Sequence, residues 1–263
     1  MQPMTELTAR GKQIRRDTLK LGLPNGIYHY GGSNSVVEIL IALYDHVYDP
    51  SEDKVIMSKG HCWIPQVVIL RERGLNPGFG PRLDNPDQNC LVGHPFRDPA
   101  NGIEVNTGSL GHGMPLGVGM SFAKKFKKES GRIYVIVGNG ELSEGTTWES
   151  FLLANRFRLD NLCVIVDANG IQGSGFSEEI LPLSDINLRD IAIRLGWASS
   201  LVDGHSIPDL LDTFRWTETV SRPSLIIAQT VKGRGVSYME NSPEWHAKFP
   251  NDAQVRIAYD ELA

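Results

Sequence analysis

Cysteine is scarce in this sequence, and the three cysteines stand far apart, at positions 62, 90 and 163. Thiols so few and so scattered exclude a disulfide framework of the secreted kind and a structural zinc site. No apolar run approaches the roughly 20 residues that a membrane-spanning helix requires. The first 23 residues carry charges throughout instead of the apolar core of a secretion signal. These absences lead us to expect a cytoplasmic protein.

An excess of positive charge is also missing, since 26 Lys and Arg stand against 31 Asp and Glu and give a net charge of −5. That balance argues against a nucleic-acid-binding protein, which would carry a basic surface. The sequence shows no internal repeat, no low-complexity tract and no break in composition. Its 263 residues can bury a large core without cross-links, so we expect a single domain spanning residues 1–263.

What the sequence does contain is an alternation of β-branched runs with helical patterns. Strands are predicted at 132–137 (RIYVIV), 161–166 (NLCVIV) and 223–229 (PSLIIAQ). The predicted helices lie at about 5–23, 33–48, 62–74, 112–128, 145–157, 187–195 and 207–217. This order predicts an α/β fold with a central, mostly parallel sheet and helices on both faces. Ligands of such sheets bind beyond the carboxyl ends of the strands.

Two segments do not fit this alternation. Residues 75–108 are rich in Pro, Gly, Asn and Asp and are too long for a passive connection, so we expect them to form a functional loop. The chain after Gly235 reads as irregular.

The stretch GNGELSEG, residues 138–145, follows the strand predicted at 132–137 and permits two interpretations. Glycines on both sides of Asn139 let a ligand approach the main chain, and the helix that begins near Gly145 presents free N–H groups to a phosphate. Alternatively, the stretch is a tight turn in which Glu141 and Glu144 favour the start of the helix. A Gly-x-Gly pattern by itself does not decide between them.

The end of the next predicted strand, VIVDANGIQ at 164–172, favours the phosphate interpretation. It offers the side-chain oxygen of Asn169 at a strand end that should neighbour the one carrying Asn139. Magnesium prefers hard oxygen ligands, and substrate phosphates and water commonly complete its shell. The two strand ends therefore predict a diphosphate held between them through Mg²⁺.

These stretches carry a family resemblance. GNGELSEGTTWES and DANGIQ resemble the thiamin-diphosphate signature, in which Gly-Asp-Gly is followed by Asn within Asp-x-Asn-x-Ile. The wider sequence resembles the N-terminal, diphosphate-binding half of transketolase, above all the versions that are split between two polypeptides. The blocks that carry the resemblance stand in the family's order: IRRDTLKL, YHYGGSNSVVEILIALYDHV, SKGH, GHP, TGSLGHGMPLGVGM, VDGH and QTVKGRGVSYMENSPEWHAKFP.

The resemblance implies ligands for the metal and the cofactor. Asn139 and Asn169 would bind Mg²⁺, or Ca²⁺ in its place, through their side chains, and Ile171 would bind it through its main-chain oxygen. Gly140 and Glu141 would line the diphosphate of thiamin diphosphate with main-chain groups.

Further residues match other parts of the family's active site. Gly108 and Leu110 match residues that meet the aminopyrimidine ring of the cofactor. Glu144 and Glu149 match two acidic residues at the subunit interface, which are linked to communication between paired active sites and which we count with the catalytic residues.

Four histidines stand at the family's motif positions: His29, His61, His94 and His246. The resemblance implies that they surround the thiazolium ring and the substrate, where imidazole can donate hydrogen bonds and shuttle protons near neutral pH. It also implies cofactor contacts for His61 and His246. We interpret the other three histidines as structural residues: His46, His112 and His205.

The resemblance implies a partner as well. In this superfamily a glutamate from a pyrimidine-binding domain activates the cofactor, and 263 residues leave no room for that domain. A separate C-terminal transketolase-like subunit would supply it, in an expected α2β2 heterotetramer. The implied reaction transfers a two-carbon ketol unit from a ketose donor to an aldehyde acceptor, both of them small sugars or sugar phosphates.

Two alternatives stay open at this point. One is another thiamin-diphosphate enzyme on the same scaffold, such as the α-subunit of a 2-oxo acid dehydrogenase or a synthase that makes a 1-deoxyketose. The blocks SKGH, TGSLGHG and WHAKFP argue against it, because they resemble transketolase. The other alternative is a non-catalytic scaffold subunit whose site has decayed.

Three departures from the family pattern bear on affinity and substrate. Asn139 stands where the family has aspartate, so a neutral amide would hold the cation less tightly. Tyr28 and Tyr30 replace glycine and proline, and we expect their phenols near the mouth of the channel. Cys62 and Trp63 stand where small residues are common.

Overall fold

The computed structural model describes residues 4–75, 80–81, 89–90, 93–173 and 175–263. The α-helices of this part of the chain are α1 (Met4–Gly22), α2 (Tyr30–Ser35), α3 (Val37–Ala42), α4 (Ile64–Glu72), α5 (Gly113–Lys127), α6 (Gly145–Arg156), α7 (Ser177–Ile180), α8 (Asp185–Arg194), α9 (Ile207–Glu218) and α10 (Asp252–Glu261). Its strands are β1 (Lys54–Met57), β2 (Gly80–Pro81), β3 (Asn89–Cys90), β4 (Ile133–Gly138), β5 (Leu162–Ala168), β6 (Ile171–Gln172), β7 (Gly175–Phe176), β8 (Ala198–Asp203) and β9 (Ser224–Gln229). None of the described helices is long and apolar enough to cross a lipid bilayer.

Five parallel strands form the main sheet, in the order β1-β4-β5-β9-β8. The central strand β5 is buried along its whole length, as expected of a parallel strand covered on both faces. Gly138, the last residue of β4, pairs in register with Asp167 near the end of β5. The two strands therefore end at the same level, and the loops that follow them meet at one edge of the sheet.

Alternate side chains of the sheet enter two hydrophobic cores, one on each face. On β5, Cys163 and Ile165 belong to the core that includes residues of α1, α3, α4 and α9. Val164 and Val166 belong to the core that includes residues of α5, α6 and α8. Burial of an aliphatic side chain contributes about 1.5–3 kcal/mol, so this alternation fixes the register of the sheet.

A third, smaller core fixes the chain next to two of the motif histidines. Tyr30, which follows His29, packs with Trp245, which precedes His246, and with residues of α10. Tyr30 is 1% exposed. The expectation that its phenol lies near the mouth of a channel is therefore wrong, because the ring is buried in this third core.

The predicted fold class is confirmed, and the predicted strands correspond to β4, β5 and β9. The edge strands β1 and β8 were not predicted. The expectation of an irregular chain after Gly235 is wrong for its last part, because α10 forms there and begins with a capping box between Asn251 and Gln254. Much of the loop expected at 75–108 lies outside the described residues, namely positions 76–79, 82–88 and 91–92.

Candidate active site

The ends of β4 and β5 are joined by a hydrogen bond between their loops. The N–H of Gly170 donates to Oδ1 of Asn139 at 3.0 Å, and the N–H of Ile171 donates to Oδ1 of Asn169 at 3.1 Å. The three residues predicted to bind a metal therefore lie side by side. An amide oxygen has two lone pairs, so each of these oxygens keeps one for a cation.

A buried ion pair sets the orientation of Asn169. Asp167, fully buried, accepts from the ammonium of Lys59 and from the hydroxyl groups of Ser35 and Thr230. It also accepts from Nδ2 of Asn169 at 3.0 Å. Since a carboxylate can only accept, Nδ2 must face Asp167 and Oδ1 must face the loop at the strand end.

The loop after β4 is tied down by the side chain of Glu141. This fully buried carboxyl group accepts from the N–H groups of Gly138 and Gly111, at 2.9 and 3.0 Å, and pairs with the hydroxyl of Ser58. Burial raises the pKa of Glu141 in spite of these donors. Its side chain is thus used within the protein, and only its main chain is left for a ligand, as the resemblance implies.

The residues predicted to meet the aminopyrimidine lie next to the strand ends. A methyl group placed on Gly140 would lie 3.3 Å from Cδ1 of Leu110, and one placed on Gly108 would lie 2.9 Å from the ring of His94. Gly108 also has a φ of 149°, which disfavours any side chain. A side chain at Gly108 is therefore excluded, whereas a side chain at Gly140 would require Leu110 to shift by a few tenths of an ångström.

The four motif histidines form a cluster in the structure. The ring centre of His29 lies 5.2 Å from that of His61, 6.2 Å from that of His94 and 5.7 Å from that of His246. The cluster adjoins the loop after β5, because a methyl group on Gly173 would lie 3.5 Å from Nε2 of His246. Residues that are far apart in sequence thus surround one site at the carboxyl edge of the sheet.

The imidazoles of this cluster are held in the neutral form. Burial, His94 and Lys232 lower the pKa of His29 to about 4, and burial with Lys232 and His29 lowers that of His246 to about 3. Burial and the neighbouring cations lower the pKa of His61 well below its ordinary value, and burial also lowers that of His94. At neutral pH each ring therefore offers one donor and one acceptor.

Lys232 is a further candidate site residue, which the sequence motifs did not indicate. Its side chain is almost completely buried, its Nζ lies 3.1 Å from Nδ1 of His246, and no carboxylate of the described residues lies within 4.0 Å of that nitrogen. Burial lowers the pKa of Lys232 to about 8. The signal in the sequence was its place in QTVKGRG, directly after a strand end. A buried cation without a counter-ion is a binding group for an anion.

Glu144 and Glu149 are not part of the histidine cluster. Both are exposed, one before and one within α6. The surface of α5 and α6 also carries apolar side chains that are 41–79% exposed: Leu116, Phe122, Phe126, Leu152, Leu153 and Phe157. The ring of Phe122 contacts those of Phe126 and Phe157. We call these six side chains the α5/α6 apolar face.

The remaining candidates are placed as follows. Tyr28 is 43% exposed, and its ring lies 4.5 Å from that of His29, so its phenol does border the cluster. Cys62 is buried, and burial raises the pKa of its thiol. His46 and His112 are exposed, whereas His205 bonds to Glu38 and to the main chain.

Beside the joined strand ends lies a cavity of about 480 Å³ lined by Asn139, Asn169, Ile171 and residues of α7 and α8. The described residues contain no group of three or more His, Cys, Asp and Glu side chains placed to hold a metal ion. A cation at this edge would therefore depend on amide and main-chain oxygens and on oxygens of the ligand.

Comparison with known proteins places these features in a family. The model of the family described as "Transketolase, thiamine diphosphate binding domain" matches residues 48–262. The apulose-4-phosphate transketolase subunit from Actinobacillus succinogenes is 37% identical over 98% of this chain and 96% of its own length. The Clostridium protein named 6-deoxy-6-sulfo-D-fructose transketolase subunit SqwG is 32% identical over 98% of this chain and 96% of its own length.

Solved structures show the same fold. Transketolase from Campylobacter jejuni superposes with a TM-score of 0.81 at 22% identity, over all of this chain but 43% of its own chain. Transketolase from Leishmania mexicana superposes with a TM-score of 0.79 at 21% identity, over all of this chain and 45% of its own chain. This chain therefore spans less than half the length of those transketolases.

Proposed function

The chain belongs to the family of transketolase thiamine-diphosphate-binding domains, and we propose that it is the cofactor-binding subunit of a two-component transketolase-like transferase. In this proposal residues 1–263 form one diphosphate-binding domain, and thiamin diphosphate with Mg²⁺ or Ca²⁺ binds at the carboxyl edge of the sheet. The names of the two relatives specify a sugar phosphate and a sulfo sugar. We therefore include an anion-bearing ketose as the substrate class.

The observation that carries this proposal is that the joined strand ends and the histidine cluster form one site. Asn139 contacts the loop of Asn169, and that loop also reaches His246. The groups present fit the cofactor. Lys232 is a buried cation that suits a diphosphate, and Nδ1 of His29 is buried without a hydrogen-bond partner among the described residues.

Each residue of the site has a defined task in this proposal. Asn139, Asn169 and the main-chain oxygen of Ile171 would hold the cation that bridges to the diphosphate. Gly140 and Glu141 would face the diphosphate through their main chain, with Lys232 as its cationic partner.

The ring systems of the cofactor would meet other residues. Gly108 and Leu110 would contact the aminopyrimidine through backbone and apolar surface. When bound, thiamin diphosphate supplies a carbanion centre that stores the two-carbon unit. Four neutral imidazoles would donate hydrogen bonds to hydroxyl groups of the substrate and relay protons to and from those groups. They belong to His29, His61, His94 and His246.

A second polypeptide completes the proposal. Both relatives are named as subunits, and the Campylobacter transketolase is more than twice as long as this chain. The α5/α6 apolar face would be covered in the assembly, since apolar patches of this kind mark protein interfaces. We propose an α2β2 heterotetramer in which the partner supplies a pyrimidine-binding domain with the catalytic glutamate, and in which Glu144 and Glu149 lie at the interface.

The experiment that tests this function combines the chain with the pyrimidine-domain polypeptide encoded nearest to it. Ketol transfer from phosphorylated and sulfonated ketoses to short aldehydes is followed by product analysis, with and without thiamin diphosphate and Mg²⁺. We expect transfer only with both chains and the cofactor. Oxidative decarboxylation of a 2-oxo acid, or condensation to a 1-deoxyketose, would assign the chain to another thiamin reaction. Absence of cofactor binding by the assembled pair would make it a scaffold.

A further inference from the structure

A chain of hydrogen bonds leads from α1 to the residue before Lys232. Arg15 donates to both oxygens of Glu38, at 2.7 and 2.8 Å. Oε2 of Glu38 lies 2.8 Å from Nδ1 of His205, and the N–H of Val231 donates to Nε2 of the same ring at 2.8 Å. Arg15, Glu38 and His205 belong to α1, α3 and the loop after β8, so three separate elements support one peptide group.

The partners of His205 define its protonation. A main-chain N–H can only donate, so Nε2 of His205 must be an acceptor, and the proton of the neutral ring lies on Nδ1, where it faces Glu38. Glu38 stays ionised in this arrangement. Burial would raise the pKa of Glu38, but Arg15 and His205 outweigh burial and lower it to about 2. The ring is thus held in one orientation by a charged acceptor on one side.

The position of Lys232 depends on the bond between His205 and Val231, because the side chain of Lys232 makes few contacts that would fix its direction. Its ammonium is buried and contacts Nδ1 of His246, and it lacks an acidic partner among the described residues. Two main-chain bonds hold the loop on its other side: Gly233 donates to Gly31 at 2.8 Å, and the oxygen of Lys232 accepts from the N–H of Asn241 at 2.9 Å. Val231, which precedes Lys232, accepts at its main-chain oxygen from the N–H of Arg234 at 3.2 Å, within the same loop. Its N–H donates to Nε2 of His205, and this is the bond that ties Val231 to a different element of the fold.

We propose that His205, oriented by Glu38, is a positioning residue that fixes Val231 so that the ammonium of Lys232 faces the diphosphate of the cofactor beside His246. This inference rests on the proposed function, since it assumes that the site binds thiamin diphosphate. His205 itself touches neither the cluster of four histidines nor the residues assigned to the cation. Its effect on binding must therefore pass through Lys232.

The test is a double-mutant cycle on cofactor affinity. The dissociation constant of thiamin diphosphate with Mg²⁺ is measured by calorimetry on the assembled enzyme for wild type, His205→Ala, Lys232→Met and the double variant. Loss of an outer partner that orients a metal ligand typically weakens metal binding ~10-fold or more. We expect an effect of the same size for a residue that orients Lys232, so His205→Ala should raise the constant about 10-fold. In the Lys232→Met background the same change should have less than about a twofold effect, because coupled residues are not additive.

A matched variant separates positioning from general stability. Glutamine at 205 can accept from Val231 and donate to Glu38, so His205→Gln should recover most of the affinity that His205→Ala loses. Should His205→Ala fail to fold, His205→Leu takes its place in the cycle, because it keeps most of the buried volume and the Arg15–Glu38 pair but removes the acceptor for Val231. Thermal unfolding of each variant shows which proteins are folded when binding is measured.

The outcomes are distinct. Equal losses in the lysine and methionine backgrounds, or no loss at all in a folded His205→Ala protein, would overturn the inference while wild type still binds the cofactor. A wild-type enzyme that shows no binding of thiamin diphosphate would instead overturn the proposed function, and the inference would fall with it.

Discussion

Oδ1 of Asn139 accepts a hydrogen bond of 3.0 Å from the N–H of Gly170. This bond fixes the loop after β4 to the loop after β5, although α6 and β5 separate the two residues in the sequence. It also fixes which atom of Asn139 faces the other strand end. The side chain that departs from the family's aspartate thus keeps an oxygen in the place where the resemblance requires one.

Asn139→Asp should tighten the binding of Mg²⁺. An aspartate preserves the acceptor for Gly170 and adds a negative charge beside the cation, and hard divalent cations favour carboxylates. We expect the dissociation constant for Mg²⁺, measured by calorimetry with thiamin diphosphate present, to fall ~10-fold, which corresponds to about 1.4 kcal/mol.

Asn139→Ala is the control, because it removes the oxygen altogether and should weaken binding. If both substitutions leave the constant unchanged, Asn139 is not a ligand of the cation.

The hydrophobic pattern was sufficient for the centre of the fold but not for its edges. The predicted strands are those in which almost every residue is buried, as in β4 and β5. β1 has only four residues, too few for a periodic signal, and β8 carries Ser199 and Ser200 because an edge strand packs less completely. α10 was missed because its apolar residues pack on the small third core rather than on the sheet.

The grouping of the candidate site residues was predictable where they stand in short motifs, but not where a contact depends on partners that are distant in sequence. Asn139, Asn169 and the histidines stand in recognisable blocks, and the structure brings them together. Lys59 and Asp167 are 108 positions apart, and nothing in the spacing says that they pair. The burial of Tyr30 was not predicted for the same reason, since most of its neighbours in the third core come from the other end of the chain.

The affinity for thiamin diphosphate should fall as the pH rises above about 8. Burial lowers the pKa of Lys232 to about 8, so the empty site carries an ammonium below that pH and a neutral amine above it. A diphosphate stays fully ionised over this range, because phosphate groups lose their second proton near pH ~6. The dissociation constant should be level near pH 7 and rise by up to ~10-fold per pH unit above 8.

Lys232→Met is the control for this profile. It should bind weakly at every pH and show no dependence on pH between 7 and 9. A wild-type profile that stays level up to pH 9.5 would show that Lys232 does not contact the diphosphate.

The histidine cluster should not titrate in the physiological range. The pKa of His29 is lowered to about 4 and that of His246 to about 3, so both rings should stay neutral from pH 8 down to pH 5. Nuclear magnetic resonance of labelled imidazoles in the isolated chain measures this directly. A midpoint near 6.5 for His246 would mean that the cluster is open to water.

The buried ion pair should matter much more to stability than an exposed pair. Lys59→Met leaves Asp167 charged and buried without its main partner, and removal of one member of a buried pair costs about 3–5 kcal/mol. Lys125→Met is a matched control, because Lys125 pairs with Asp160 at 2.7 Å on the surface, where such pairs contribute about 0–1 kcal/mol. Denaturant unfolding of the isolated chain gives both values, and equal effects would contradict this account.

Assembly with the partner should depend on the α5/α6 apolar face. Phe126 is 79% exposed and stacks on Phe122, so a carboxylate at this position would be buried against apolar surface in the complex while remaining in water in the free chain. We expect Phe126→Glu to leave the folding of the chain intact and to weaken assembly at least ~10-fold, as for substitution of a well-buried aromatic contact. Light scattering after size-exclusion chromatography with the partner measures this change.

Phe249→Glu, at a residue 51% exposed outside this face, is the matched control and should assemble as wild type does. Equal weakening by both substitutions would show that a general loss of apolar surface, and not this face, accounts for the effect.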